Sequence, residues 1–366
     1  MQKNSNQLRW VTPAIVIAAL VVVVLIVARR PERSNPGIFL KDGRIIVSQA
    51  DARLADIDRA INDPDVFTYD ENERRARVAT HLLIVEKGSL VIGSEEQGET
   101  LEFNTNVCGD ASLGIDPGAS LSVTNSEIAT THRTITAGLC TRGYTVWCRG
   151  ALTARNSQFL YISGNRSEFF SQGTATGVLD NVLIARSDGA SLRLARVDGS
   201  RLSIKNSTIR TNGKFGVFVL GNTKKPVRIE NSTLLGTTAD VFLSQTNGDV
   251  VLVDCAFRKD HVRFQNSKGS VRVKWRAHVK VEKNGKPVPG ATVIVEDDGE
   301  KVAAATDENG LAVLEVTEQI IREGGTTKVA PHVFRVTDDG ATLAESEPTA
   351  ITDAAERQGE IKLTIE

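Results

Sequence analysis

Apolar and polar positions alternate in short bursts along most of the chain, and one phrase recurs: apolar-x-apolar-x-Asn-Ser-x-apolar. It reads Leu121-Ser-Val-Thr-Asn125-Ser-Glu-Ile128, then Leu152 to Phe159 around Asn156, Leu202 to Ile209 around Asn206, and Val227 to Leu234 around Asn231. Looser copies surround Asn181 and Asp254. From Asn156 the anchors step by 25, 25, 25 and 23 residues. Strand-like alternation at a period in the low twenties predicts the coils of a stacked β-solenoid. Residues two and four before each anchor, and three after it, point inward, and those one and three before it point outward. Eleven residues past the anchors at 181, 206 and 231, Leu192, Val217 and Phe242 suggest a second inward register.

At a turn an Asn tolerates left-handed dihedrals, and stacked amides can bond from coil to coil. Asn125, Asn156, Asn181, Asn206 and Asn231 therefore read as a structural ladder, although Asn165, Asn206 and Asn231 also open Asn-x-Ser/Thr sequons. Just before successive anchors stand Arg155, Asp180, Lys205 and Glu230. Stacked at about 4.8 Å, they would alternate in sign and support register.

Upstream, Leu82 to Ile92 and Gly114 to Val123 repeat a strand, turn, strand pattern and read as the first coils. Ala50 to Ile61 reads as a helix able to cap them. Trp10 to Ala28 is a run of 19 residues without charge, flanked by Arg9 and by Arg29-Arg30. At about 1.5 Å per residue it extends roughly 28 Å, close to a bilayer's apolar thickness. It runs directly into Arg29-Arg30-Pro31 with no small-residue cleavage site, so it reads as an uncleaved signal anchor in the lipid bilayer.

After Trp275 longer alternating strands replace the repeat, and Asp297-Asp298 reads as a solvated carboxylate pair on a turn. The resulting fold class is all-β. A parallel β-helix is followed by a small antiparallel β-sandwich, behind an N-terminal transmembrane helix. The divisions are 1–30 (anchor), 31–80 (linker and cap), 81–275 (solenoid) and 276–366 (sandwich).

Charge is balanced, with 44 basic and 45 acidic residues, so bulk electrostatics selects no partner. Locally the balance breaks. Residues 181–230 hold ten Lys and Arg, among them Arg186, Arg193, Arg196, Arg201 and Arg210, against Asp188, Asp198 and Glu230. The 31-residue step from Asn125 to Asn156 carries Arg142, Tyr144, Trp147 and Arg149. Arginines beside aromatic rings suit an acidic polysaccharide or similar envelope polymer. Those nine side chains form the candidate binding surface.

Four cysteines lack C-x-x-C spacing, so no metal site is expected. Cys140 and Cys148 enclose a short loop that a disulfide could close. The five histidines have no patterned acidic partner, and no catalytic residue is assigned.

The Asn-Ser-x-apolar coils with Gly-Ala-Ser-Leu turns, over roughly residues 82–275, resemble the right-handed parallel β-helix proteins of the pectate-lyase-like superfamily. Val279 to Val295 with Ala305 to Leu311 resembles carboxypeptidase regulatory-like, transthyretin-like domains. The first resemblance implies a right-handed coil and a bulk placed outside the cytoplasm, periplasmic or at the cell surface, where nucleic acid is not the partner. It spans lyases, hydrolases and non-catalytic surface proteins. The hydrolase signature of Gly-His-Gly with clustered aspartates is absent; Arg228-Ile229-Glu230 is the nearest match to its Arg-Ile-Lys segment. The primary reading is therefore a non-catalytic binding protein without cofactor. A polysaccharide lyase or glycoside hydrolase is the alternative, with Ca2+ entering only for the lyase. A structural spacer or assembly module is the third reading.

Overall fold

A computed structural model describes residues 37–104, 111–131, 143–163, 167–338, 341–352 and 360–365. The repeat forms a three-faced solenoid in which each strand pairs in parallel with its equivalent one coil away. The first face holds the strands before each anchor, from Ser89–Ile92 through Ala151–Arg155 and Val227–Glu230 to Ser270–Lys283. The second face follows the anchors, from Arg75–Val78 to Thr233–Leu235. The third face is built from two sheets. One runs from Arg44–Val47 to Thr145–Cys148, and the other from Phe170–Ser171 to Val262–Gln265.

The local causes lie at the turns. Asn125, Asn156, Asn181, Asn206, Asn231 and Asp254 have φ between 45° and 53°, the left-handed region that Asn and Asp tolerate best. The amide ladder exists in two pieces. Asn181 donates to Asn156 at 2.9 Å and Asn231 to Asn206 at 2.8 Å. Asn206 turns instead to the Asp180 carboxylate at 2.7 Å, which accepts more strongly than an amide. Asn125 donates to the Ser94 and Glu95 carbonyls, where the preceding coil makes a longer loop.

The serine after each anchor has a role that the ladder reading missed. Ser157, Ser207 and Ser232 are buried, and each hydroxyl donates to the carbonyl two residues back, at 2.6–2.7 Å. Each also accepts a backbone N–H from an adjacent coil. A turn buried between two faces thereby satisfies its polar groups.

Arg155, Asp180, Lys205 and Glu230 stand in register on the first face, as their spacing requires. The second inward register holds for Leu192 and Val217 but shifts at the next coil. Val217 pairs with Val241, while Phe242 pairs with Phe218 and faces outward. The coil from Val217 to Val241 is one residue short of the repeat, and a one-residue step in a strand exchanges its faces.

Parallel pairing begins at Arg44–Val47, inside the segment read as linker and cap. The capping helix runs Leu54–Ile61, with Leu54 and Ile57 fully buried and Asp56 accepting from the Arg53 N–H at its start. Among the described residues no helix is long and apolar enough to cross a membrane, and residues 10–28 lie outside them.

The expected boundary at 275/276 is crossed by one strand. Ser270–Lys283 is the last rung at its start and part of the C-terminal domain at its end. Leu311–Arg322 pairs antiparallel with nearly its whole length, so the two parts share a sheet. A four-stranded antiparallel sheet spanning Thr292–Asp297, Glu300–Ala305, Phe334–Asp338 and Ala341–Glu345 completes the domain. Its Val293, Val295, Phe334 and Val336 join the buried core with Val279, Val281 and Leu314.

Ion pairs tie the two parts together. Asp297 is not a solvated turn residue. It is 3% exposed, bonds Lys274 at 2.8 Å and accepts from Thr317, while Asp298 pairs with Arg272. Val253 is fully buried between Glu230 and Lys274 in its row. Arg228 bonds both Glu230 and Glu315, and Arg276 bonds Glu230 and comes within 3.7 Å of Glu315, across the junction.

Burial pushes the Glu230 carboxyl up, but Arg228, Arg276 and Lys205 outweigh it and hold the pKa at about 2, below the ordinary 4.5. A depressed carboxylate stabilises the fold above its unfolded pKa and loses that contribution as pH falls through the folded one. Unfolding midpoints in urea should therefore fall between pH 4.5 and about 2. Glu230→Gln should flatten the slope in that window while lowering stability at neutral pH.

Candidate functional site

The third face presents one outward side chain per coil, in a line. Trp147 lies between the inward residues Val146 and Cys148, both fully buried, and so faces out. Glu168 sits beside it in the ladder. Arg193, Phe218, Phe242 and Arg263 stand in direct register with one another, while Glu168 joins them by its side-chain contact with Arg193, since the pairing of Phe170 with Leu194 sets it one residue off that line. Six side chains over five steps of about 4.8 Å extend roughly 24 Å along the solenoid axis.

The row is packed along its length. The Trp147 indole lies across Gly114, where a Cβ would come within 2.2 Å of it. The Arg149 guanidinium is 5.4 Å from the indole centroid. Glu168 and Arg193 approach to 4.0 Å, and the Arg193 guanidinium stands 5.2 Å from the centre of the Phe218 ring. Phe218 and Phe242 are 5.0 Å apart, and Phe215 stacks on Phe242 at 4.5 Å. The result is a half-buried aromatic strip between Arg193, whose guanidinium lies over Phe218, and Arg263, whose guanidinium donates to the Asp260 and Val262 carbonyls. Rings held this way lose little side-chain freedom when a flat apolar face settles on them.

A corner rich in positive charge runs along one edge, where third-face strands turn into the first face. Arg149, Arg196 and Arg201 are exposed there. Arg196 has a left-handed φ of 53°, matched by Gln172, Gly221, Gln245 and Asn266 at equivalent turns. Arg201 donates to the Gly173 carbonyl at 3.1 Å, and Lys224 packs against Gly173. Asp198 sits among them. Hydrogen bonds from Ser200, with Lys224 and Arg201 nearby, hold its carboxyl below the usual range.

The nine side chains expected to bind thus separate. Trp147, Arg149, Arg193, Arg196 and Arg201 gather on one face and its edge. Arg186 and Arg210 lie at the opposite corner, Arg186 just after one second-face strand and Arg210 at the end of the next; Arg186 covers the Tyr161 ring and bonds its hydroxyl. Tyr144 is not on the surface. It is fully buried, stacks on Phe103 at 4.9 Å and donates to the Ile128 carbonyl, and burial holds its hydroxyl well above the ordinary pKa. Arg142 lies outside the described residues. The basic excess of residues 181–230 therefore surrounds the coils instead of forming one patch.

The expected disulfide involves Cys140, which lies outside the described residues. Its other member, Cys148, is a free thiol facing the core, and burial pushes its pKa to about 12. Tyr144, Val146 and Cys148 alternate inward with Thr145, Trp147 and Arg149 outward. The segment read as a loop is a rung.

Sequence reasoning missed Phe218, Phe242, Glu168 and Arg263. The signal was present in Phe215–Leu220 and Ala239–Ser244, where the central Phe has the parity opposite to Val217 and Val219, or Val241 and Leu243. The other carboxylate on these strands, Asp240, is fully buried. It receives Gly236 N–H, Arg258 N–H and the Arg258 guanidinium at 2.6–3.1 Å. Among the described residues no cluster of His, Cys, Asp and Glu is placed to hold a metal ion.

No curated protein matches the chain in sequence. Among solved structures, the periplasmic alginate epimerase AlgG is similar at 12% identity and a TM-score of 0.34, over 61% of this chain and 68% of that one. ORF18 of Geobacillus virus E2 is similar at 6% identity and a TM-score of 0.14, over 70% and 68%. Residues 100–257 match the family described as right handed beta helix region, and with the parallel three-faced stacking this makes the middle of the chain a right-handed parallel β-helix.

Proposed function

We propose that this chain is a non-catalytic surface protein, held to a membrane by residues 10–28, that binds an acidic polysaccharide lengthwise along the third face of its solenoid outside the cytoplasm. The observation that carries the reading is the row Trp147, Glu168, Arg193, Phe218, Phe242, Arg263, one side chain per coil. An extended polymer of sugar rings offers apolar ring faces to the aromatic side chains and carboxylates to the guanidinium groups, and the coil spacing repeats the match along its length.

The absence of catalysis is part of the proposal. Cleavage of glycosidic bonds by hydrolysis ordinarily takes two carboxylates flanking one bond. On the strands of this face and at its flanking rung, Glu168 is engaged by Arg193 and Asp240 is sealed by Arg258.

Binding of purified protein to polygalacturonate, followed by calorimetry, tests the reading. Phe218→Ala with Phe242→Ala should weaken it about tenfold, since each ring contributes about 0.5–1.5 kcal/mol beyond its buried area. Unchanged affinity in that double variant, or release of oligosaccharides by the wild type, would count against the proposal.

A further inference from the structure

Glu168 is out of place in a surface built for an anionic polymer, and its position gives it a consequence. It is the second member of the row, beside Trp147, and it contacts Arg193 at 4.0 Å. Its side chain is 30% exposed, so it is open to a ligand lying along the row. The nearest elements bring Arg149 over the Trp147 ring and Arg193 over the Phe218 ring. The remainder of the row, from Arg193 to Arg263, carries no carboxylate.

We infer that Glu168 is a specificity-determining residue: it accepts a sugar unit with hydroxyl or ester groups at its coil and repels one bearing a carboxylate. The favoured ligand would then carry acid groups at intervals, facing Arg193 and Arg263, with an uncharged unit beside Trp147. This inference rests on the proposed binding along the third face. Physically it is a built-in penalty against the uniformly charged competitor. Selectivity of that kind comes from a repulsive group as much as from attractive ones. Glu168 also lowers the net positive charge of the row, which a merely electrostatic trap for polyanions would not do.

The test compares polygalacturonate without ester groups and the same polymer with about half its carboxyl groups methylated, using full-length wild type, Glu168→Gln and Arg193→Gln. Glutamine keeps the shape of the side chain and its capacity to bond Arg193. Glu168→Gln should raise affinity for the fully charged polymer about three- to tenfold and change affinity for the partly methylated one less than twofold. Arg193→Gln should weaken both. If Glu168 only positions Arg193, Glu168→Gln will weaken both polymers by one factor and leave their ratio unchanged, and the inference is overturned while the binding surface stands. If the wild type binds neither polymer, the proposed function itself fails.

Discussion

Replacing Asp240 with alanine should lower the unfolding free energy by about 3 kcal/mol, the largest single effect expected from any polar side chain of the third face. The carboxylate is fully buried and accepts four hydrogen bonds, two from backbone N–H groups of Gly236 and Arg258 and two from the Arg258 guanidinium. Alanine would leave both backbone donors without their partner. Each such loss costs about 1–3 kcal/mol. The Arg258 side chain is 45% exposed and can return to water, which keeps the estimate at the low end of the range for a broken buried pair. Burial pushes the Asp240 carboxyl up, yet the bonds from Arg258 and Gly236 prevail and its pKa lies below the ordinary carboxylate range. Its contribution is thus present above the unfolded pKa of about 3.9 and is lost as acid protonates the folded form. Thermal melts at pH 7 should show the full deficit of the variant, and the deficit should shrink once acid takes the pH through the depressed folded pKa. A deficit under about 1 kcal/mol at neutral pH would mean that the clamp is ornamental to stability.

What could be read from the sequence was whatever depends on residues close together in the chain. A left-handed turn followed by an inward apolar residue is a local demand, so the anchors and the Arg155-to-Glu230 charge row were legible from spacing alone. Register across coils is not local. One missing residue between Val217 and Val241 reversed the orientation assigned to Phe242, and with it hid the aromatic strip. The rung at Thr145–Cys148 was obscured because its coil is 31 residues from anchor to anchor and looked like a loop. Asp297 was misread by weighing its charge over its parity. Val293, Val295 and Asp297 share a face in Thr292–Asp297, and the carboxylate follows the valines inward to meet Lys274 and Thr317. The binding surface was legible in its arginines and illegible in its aromatic residues, because exposed Arg announces itself by type while an outward Phe does so only through register.

Reversing the charge of Arg193, Arg196 and Arg201 together should reduce binding to polygalacturonate by roughly 100-fold at low salt. An exposed ionic contact contributes up to about 1 kcal/mol; three lost contacts amount to about 3 kcal/mol, and 1.4 kcal/mol is a factor of ten. Arg193 stands in the row itself, and Arg196 and Arg201 line the edge where Arg149 also lies. Binding through such groups is screened, with a Debye length near 10 Å at 0.1 M salt. Wild-type affinity should therefore fall steeply as salt rises, and the triple variant should show a shallower slope because fewer contacts remain to be screened. The control is Lys286→Glu, Lys301→Glu and Lys328→Glu, three exposed residues of the C-terminal domain. That variant changes the net charge by the same amount and leaves the third face intact, so its affinity should stay within about threefold of wild type. Equal losses in the two triple variants would show that bulk charge, not this face, governs association. A wild-type affinity indifferent to salt would show that arginine pairing does not drive binding, and the aromatic strip would then have to account for all of it.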